Sequence, residues 1–250
     1  MSGLLIPEPM QLGVHSNPMR MGVYKLGEPE NVAGLIGVGP MAAEASGANT
    51  LNVLFPDIVI PINSFAVLHY NMSNSNVPSS AAAGFTVIND VNGTTRGGIH
   101  GKICEGNEQN ETVVLTYASS NCSAFISVWR GIENSSVANA VATCIRGANT
   151  SSGNMTYATM TAGQDALCIA QGNGLIAGGT PVNPSGSNPT YLDLGDASIA
   201  AGARCAAFYG FTTNPEALGD RGVAATGFTN FYNGIMLALK IEEGFVLPDV

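Results

Sequence analysis

The stretch Cys122–Asn134, CSAFISVWRGIEN, decides how this chain is read, and it holds the single tryptophan, Trp129. Ala124, Phe125, Ile126, Val128 and Trp129 form an apolar run that is short for a helix, rich in β-branched and aromatic residues, and closed by Arg130-Gly131. That combination predicts a central strand over Cys122–Arg130 followed by a turn. Trp129 is the expected core anchor. Two sheets packed face to face leave a layer about 10 Å thick, which a large aromatic fills well.

Other strands are expected near Leu35–Ala45, Asn49–Phe55, Ser64–Met72, Phe85–Asp90, Gly97–Cys104 and Thr112–Tyr117, then near Ala138–Ile145, Ala166–Gln171, Ala203–Phe211 and Asn233–Ile241. Asn92-Gly93 suits a type I′ turn, so Phe85–Val91 and Thr95–Cys104 should pair antiparallel. Short strands separated by Gly, Asn, Ser and Pro predict an all-β fold, an antiparallel, jelly-roll-like β-sandwich, and not alternating βαβ units. No internal repeat of fixed period is visible. The Gly/Pro/Asn/Ser stretch 172–190 reads as a long loop of the kind that is functional, mobile or held by a neighbour.

Composition narrows the function classes. In 250 residues, 45% are hydrophobic and 11% charged, with 31 Gly and 13 Pro, a turn-rich β composition and not that of a helical protein. A net charge of -9 opposes binding to a phosphate backbone, so nucleic acid is not an expected partner. No run of 18 apolar residues predicts a membrane span, and MSGLLIPEPM lacks the features of a secretory signal, so synthesis in a cytoplasm is expected. Cys104, Cys122, Cys144, Cys168 and Cys205 lack paired metal or redox spacing and are read as small buried hydrophobes.

Residues 1–34 form a candidate extended arm. Pro7, Pro9, Pro18 and Pro29 interrupt it, and Met10, Met19, Met21 and Tyr24 could contact either a neighbouring subunit or the arm's own domain. The sandwich domain should span residues 35–241. The tail, 242–250, offers Phe245, Val246 and Leu247 for docking on an adjacent surface.

Catalytic and metal motifs do not emerge. Gly37-Val38-Gly39-Pro40-Met41-Ala42 fits the dinucleotide fingerprint in letters only, because no helix of sufficient length follows. His15, His69 and His100 share no ligand spacing and are expected at the surface or partly buried. Asp193 and Asp196 read as a polar turn in preference to a Ca²⁺ site, and Glu105, Glu108 and Glu111 as a solvated hairpin end. No cofactor or metal is expected. Asn-x-Ser/Thr sequons at Asn71, Asn92, Asn110, Asn121, Asn134, Asn149 and Asn154 follow from an Asn/Ser/Thr-rich composition.

At Ile126–Asn134 (ISVWRGIEN) the chain resembles a group of tailed-bacteriophage structural proteins in which an apolar strand ends in an aromatic-Arg-Gly-aliphatic turn. Pro78–Ile88 (PSSAAAGFTVI) is similar to that group's Pro-x-Gly-aromatic-Thr segment, although Gly84-Phe85-Thr86 stands where Gly-Trp-Thr is the pattern. Gly97–Tyr117 resembles the hairpin that follows, and Ala225–Lys240 the closing strand. The resemblance covers about Leu35 to Ile241. It implies a virion component without catalytic activity. The first expectation is a capsid decoration or cement protein on the outer capsid surface, oligomeric (for example a trimer), contacting the major capsid protein and copies of itself. The second is a tail-tip or fibre module binding host carbohydrate.

Overall fold

The strand expected over Cys122–Arg130 forms with those bounds inside a six-stranded antiparallel sheet. The protein is described here from a computed structural model covering residues 31–45, 48–72, 82–90, 97–118, 120–147, 154–175, 189–198, 202–213, 217–218, 221–224 and 231–248. In chain order the strands are β1 (Gly34–Val38), β2 (Ala42–Glu44), β3 (Thr50–Leu54), β4 (Phe65–Met72), β5 (Thr86–Asn89), β6 (Gly98–Ile103), β7 (Thr112–Thr116) and β8 (Cys122–Arg130). A single helical turn, α1 (Val137–Ala140), precedes β9 (Val141–Arg146), β10 (Asn154–Tyr157), β11 (Met160–Thr161), β12 (Ala166–Leu175) and β13 (Leu192–Ser198). The chain continues through β14 (Ala203–Thr212), β15 (Ala217–Leu218), β16 (Arg221–Ala224) and β17 (Phe231–Lys240).

These strands stack in four layers. One central sheet runs β1-β8-β4-β6-β5, with β2 also on β8; the other runs β13-β14-β12-β17-β9. A β3–β7 ribbon covers the outer face of the first sheet, and the β10–β16 and β11–β15 pairs cover that of the second. Central strands are therefore buried on both sides. On β4, Ala66, Leu68, Tyr70 and Met72 pack under the β3–β7 ribbon, while Phe65 and Val67 pack against Leu167, Ile169 and Leu237 of the facing sheet. A strand with two buried faces needs apolar residues at nearly every position, which is why CSAFISVW reads as a continuous run and not an alternation. The expected antiparallel sandwich is present, with both of its outer faces covered.

The two central sheets are built by successive halves of the chain with the same strand order. Replacing β1, β8, β4, β6 and β5 by β9, β17, β12, β14 and β13 converts one sheet into the other. The irregularities coincide as well. The register of β1 on β8 shifts between Leu35 and Gly37, and that of β9 on β17 shifts between Val141 and Thr143. Likewise β5 on β6 shifts between Val87 and Asn89, and β13 on β14 between Asp193 and Gly195. Since a bulge is a local feature of one strand pair, matched bulges in matched pairs identify an internal structural repeat. The sequence shows no repeat of fixed period, and the repeat is visible only in strand order and register. Register-equivalent positions of the two sheets share a residue at Asn71/Asn173 and almost nowhere else, because a buried strand needs only apolar character. Within each half the chain passes from sheet to ribbon and back twice.

Several local expectations need correction. Leu35–Ala45 is broken at Gly39-Pro40-Met41, where a Cβ on Gly39 would overlap the Leu54 carbonyl of the covering ribbon. Ala138–Ile145 begins as a helical turn because the Ser136 hydroxyl caps the Asn139 N–H at 3.1 Å. β12 extends to Leu175, into the segment read as a loop, while residues 176–188 and the turn at Asn92-Gly93 lie outside the described residues. The strands flanking that turn, β5 and β6, pair antiparallel as expected. Asp193 and Asp196 belong to strand β13, not to a turn, and Asp196 accepts from Arg204 Nε at 2.6 Å.

Candidate interaction surface

Trp129 occupies the expected place between the two sheets, with its ring edge-on to Tyr209 at 5.1 Å. Its Nε1–H donates to Ser127 Oγ at 2.9 Å. Ser127 Oγ lies 3.0 Å from His69 Nε2, and His69 Nδ1 lies 2.8 Å from Gln171 Oε1. Gln171 Nε2 donates to Tyr70 O, Gly98 O and Asn173 Oδ1, so Oε1 is its acceptor. The proton of His69 is thereby assigned to Nδ1, and Nε2 accepts from the Ser127 hydroxyl.

This serine–histidine–amide line has the outline of an activated nucleophile but is fully buried, so no substrate can reach it. His69 and Gln171 occupy equivalent positions of the two halves, and their bond crosses the seam between the sheets. Burial lowers the His69 pKa to about 4, partly offset by the bond to Gln171, and keeps the ring neutral at pH 7. The histidines were expected at or near the surface; His69 and His100 are instead fully buried, and His15 lies outside the described residues. Arg146 closes one end of the seam. It donates to Asn233 Oδ1 at 2.8 Å on one sheet, and to Asn89 Oδ1 at 3.0 Å and Gly97 O at 2.8 Å on the other.

The surface offers a different kind of site. Between β3 and β4, Pro56–Ile62 reads PDIVIPI, and there Val59 is 78% and Ile62 68% exposed. The loop is braced against Cys104–Glu111. Asn63 N–H donates to Cys104 O at 2.9 Å, Cys104 N–H to Ser64 O at 2.8 Å, and Ser64 Oγ to Pro61 O at 2.7 Å. Asp57 accepts from the side chains of Gln109, at 3.0 Å, and Asn110.

Glu108 holds the second loop together and is fully buried, contrary to the expected solvated hairpin end. Its carboxylate accepts from the backbone N–H groups of Glu105, Gly106 and Asn107 at 2.6, 2.9 and 3.1 Å, and lies 3.2 Å from Lys102 Nζ. Burial alone would raise its pKa; the Glu105 N–H, the Lys102 ammonium and the Gly106 N–H outweigh burial and hold it below the usual carboxylate range.

The internal repeat supplies a control for this tip. Residues 55–65 correspond without a gap to 157–167, and their burial follows the same course. Phe55 and Tyr157 are buried, as are Ile60 and Ala162, while Val59 and Thr161, and Ile62 and Gln164, are exposed. At the same two solvent positions one half carries Thr and Gln and the other Val and Ile. The two segments differ in backbone pairing, since Thr161 pairs with Ala217 in β11–β15 whereas Val59 lies in a loop.

Of the contacts expected from sequence, Met10, Met19, Met21 and Tyr24 lie outside the described residues. The last residues of the expected arm are held by the domain, since Ala33 N–H donates to Val246 O and Val246 N–H to Asn31 O, each at 2.9 Å. Phe245 lies against Gly131 of the same chain, and Leu247 is half-buried. Val59 and Ile62 were not singled out from sequence, although the aliphatic stretch PDIVIPI, punctuated by Pro56 and Pro61 between two strands, contains both. No group of three metal-ligating side chains occurs among the described residues, and none of their helices is long and apolar enough to cross a membrane. No family model, curated protein or solved structure matches this chain.

Proposed function

We propose that this chain is a structural protein without catalytic activity, a capsid decoration or cement protein of a tailed bacteriophage that docks on the outer shell and joins neighbouring major capsid subunits. The observation that carries a docking role is the braced tip, where Val59 and Ile62 face solvent at positions filled by Thr161 and Gln164 in the twin half. A preorganised apolar tip loses little conformational freedom on binding. The resemblance at ISVWRGIEN supports the virion setting. Residues 1–30, which precede the domain, would add a second attachment, and linked weak sites raise avidity.

The test is the particle. Purified virions should carry the chain in many copies on the shell, and both deletion of residues 2–30, which spares the domain-held residues 31–34, and the Val59→Ser/Ile62→Ser double variant should lower its occupancy. A few copies confined to the tail would overturn this reading. Such a result would favour a tail-tip module binding host carbohydrate.

A further inference from the structure

The surroundings of Val59 and Ile62 restrict what the tip can meet. Asp57, Glu105 and Glu111 are exposed around it. Among the described residues the nearby cation, Lys102, is already paired with Glu108 at 3.2 Å and Glu111 at 3.6 Å. The outward face is therefore aliphatic at its centre and anionic at its rim. Two such tips facing one another would bring like charges together while burying two aliphatics per copy, far below the roughly 800 Å² per partner of a stable interface. An anionic lipid surface is disfavoured for the same electrostatic reason.

We infer that the tip docks into an apolar recess rimmed by Lys and Arg on a different protein. This rests on the docking role proposed above and names the partner's chemistry. The aliphatic pair supplies desolvation, while the rim carboxylates orient the approach and make it sensitive to salt. Asp57 is held by Gln109 and Asn110, so its charge is fixed beside the aliphatic pair. With only two buried side chains a single contact is weak. The tip therefore acts on a partner that repeats, so that several contacts engage together.

Fluorescent peptides serve as probes of the full chain: one of Leu, Phe, Lys and Arg, a second with Glu replacing the basic residues, and a third with Ser replacing the apolar ones. The basic apolar peptide should bind best, and more weakly as salt rises. Val59→Ser/Ile62→Ser leaves the net charge unchanged and should weaken binding about tenfold or more. Val87→Ser/Val114→Ser removes two exposed aliphatics elsewhere (44% and 46%) and should bind as wild type. Asp57→Asn/Glu105→Gln/Glu111→Gln should weaken binding and flatten its salt dependence. Circular dichroism melts confirm folding of each variant.

Equal binding by wild type and Val59→Ser/Ile62→Ser, equal loss in Val87→Ser/Val114→Ser, or equal binding of the acidic peptide would overturn the inference. So would wild-type self-association abolished by Val59→Ser/Ile62→Ser. Particle occupancy is measured separately. If Val59→Ser/Ile62→Ser lowers occupancy while the peptides bind without discrimination, docking stands and the partner chemistry falls.

Discussion

Replacing His69 by Gln should remove a specific acid sensitivity from the protein. His69 is buried in the seam, with its ring stacked on Phe125 at 4.6 Å and both ring nitrogens engaged by neutral partners. Its folded pKa is lowered to about 4 from the ordinary 6.5, first by burial. Between those values the unfolded chain binds a proton that the folded chain refuses, so stability falls as pH drops from 6.5 towards 4. At about 1.4 kcal/mol per pH unit the full loss is on the order of 3 kcal/mol, most of it, about 2 kcal/mol, between pH 7 and pH 4.5. His69→Gln should be less stable at pH 7 by about 1–2 kcal/mol, from the altered hydrogen bonds and the lost ring contact. Its further loss on acidification should be smaller than that of wild type by about 2 kcal/mol. Urea unfolding of both proteins at pH 7, 5.5 and 4.5 gives the comparison, and carboxylates common to both cancel. Parallel losses across that range would refute the assignment of a neutral, acid-sensitive histidine to the seam.

Trp129→Ala should cost about 3–5 kcal/mol, since the ring fills the layer between the sheets and its loss also leaves Ser127 without a donor; an unchanged urea midpoint would place the ring outside the core. Glu108→Gln should destabilise by about 1–3 kcal/mol, because a single amide oxygen cannot satisfy three backbone N–H groups. The stabilisation from Glu108 is full above the ordinary carboxylate range and is lost as pH falls through its lowered folded value, so the variant should differ least from wild type in strong acid. Gly39→Ala should cost about 1–3 kcal/mol, as its Cβ would force β1 away from the Leu54 carbonyl; a neutral melting temperature would contradict that approach.

Much of the secondary structure was legible because strand formation is signalled locally. The bounds of β8 follow from an apolar run and its closing Arg-Gly, and β4, β6, β7 and β14 lie within about two residues of their expected positions. Strand β13 was missed because Asp193, Gly195 and Asp196 look like a turn in sequence, whereas its place at the edge of a sheet lets Asp196 pair with Arg204. Glu108 was misread for a related reason. A glutamate in a Gly/Asn loop suggests solvent, and only the folded loop turns three N–H groups and Lys102 towards its carboxylate.

The sequence by itself determined an antiparallel sandwich pinned by Trp129, because hydrophobic patterning within single strands is enough to specify which segments extend and which are buried. Only the tertiary structure decided that the chain repeats itself and that Val59 and Ile62 stand exposed at an otherwise conserved burial pattern within that repeat. Strand order and bulges depend on which segments meet across long separations. Buried positions accept many apolar residues, so two halves with almost no identical residues reach the same arrangement.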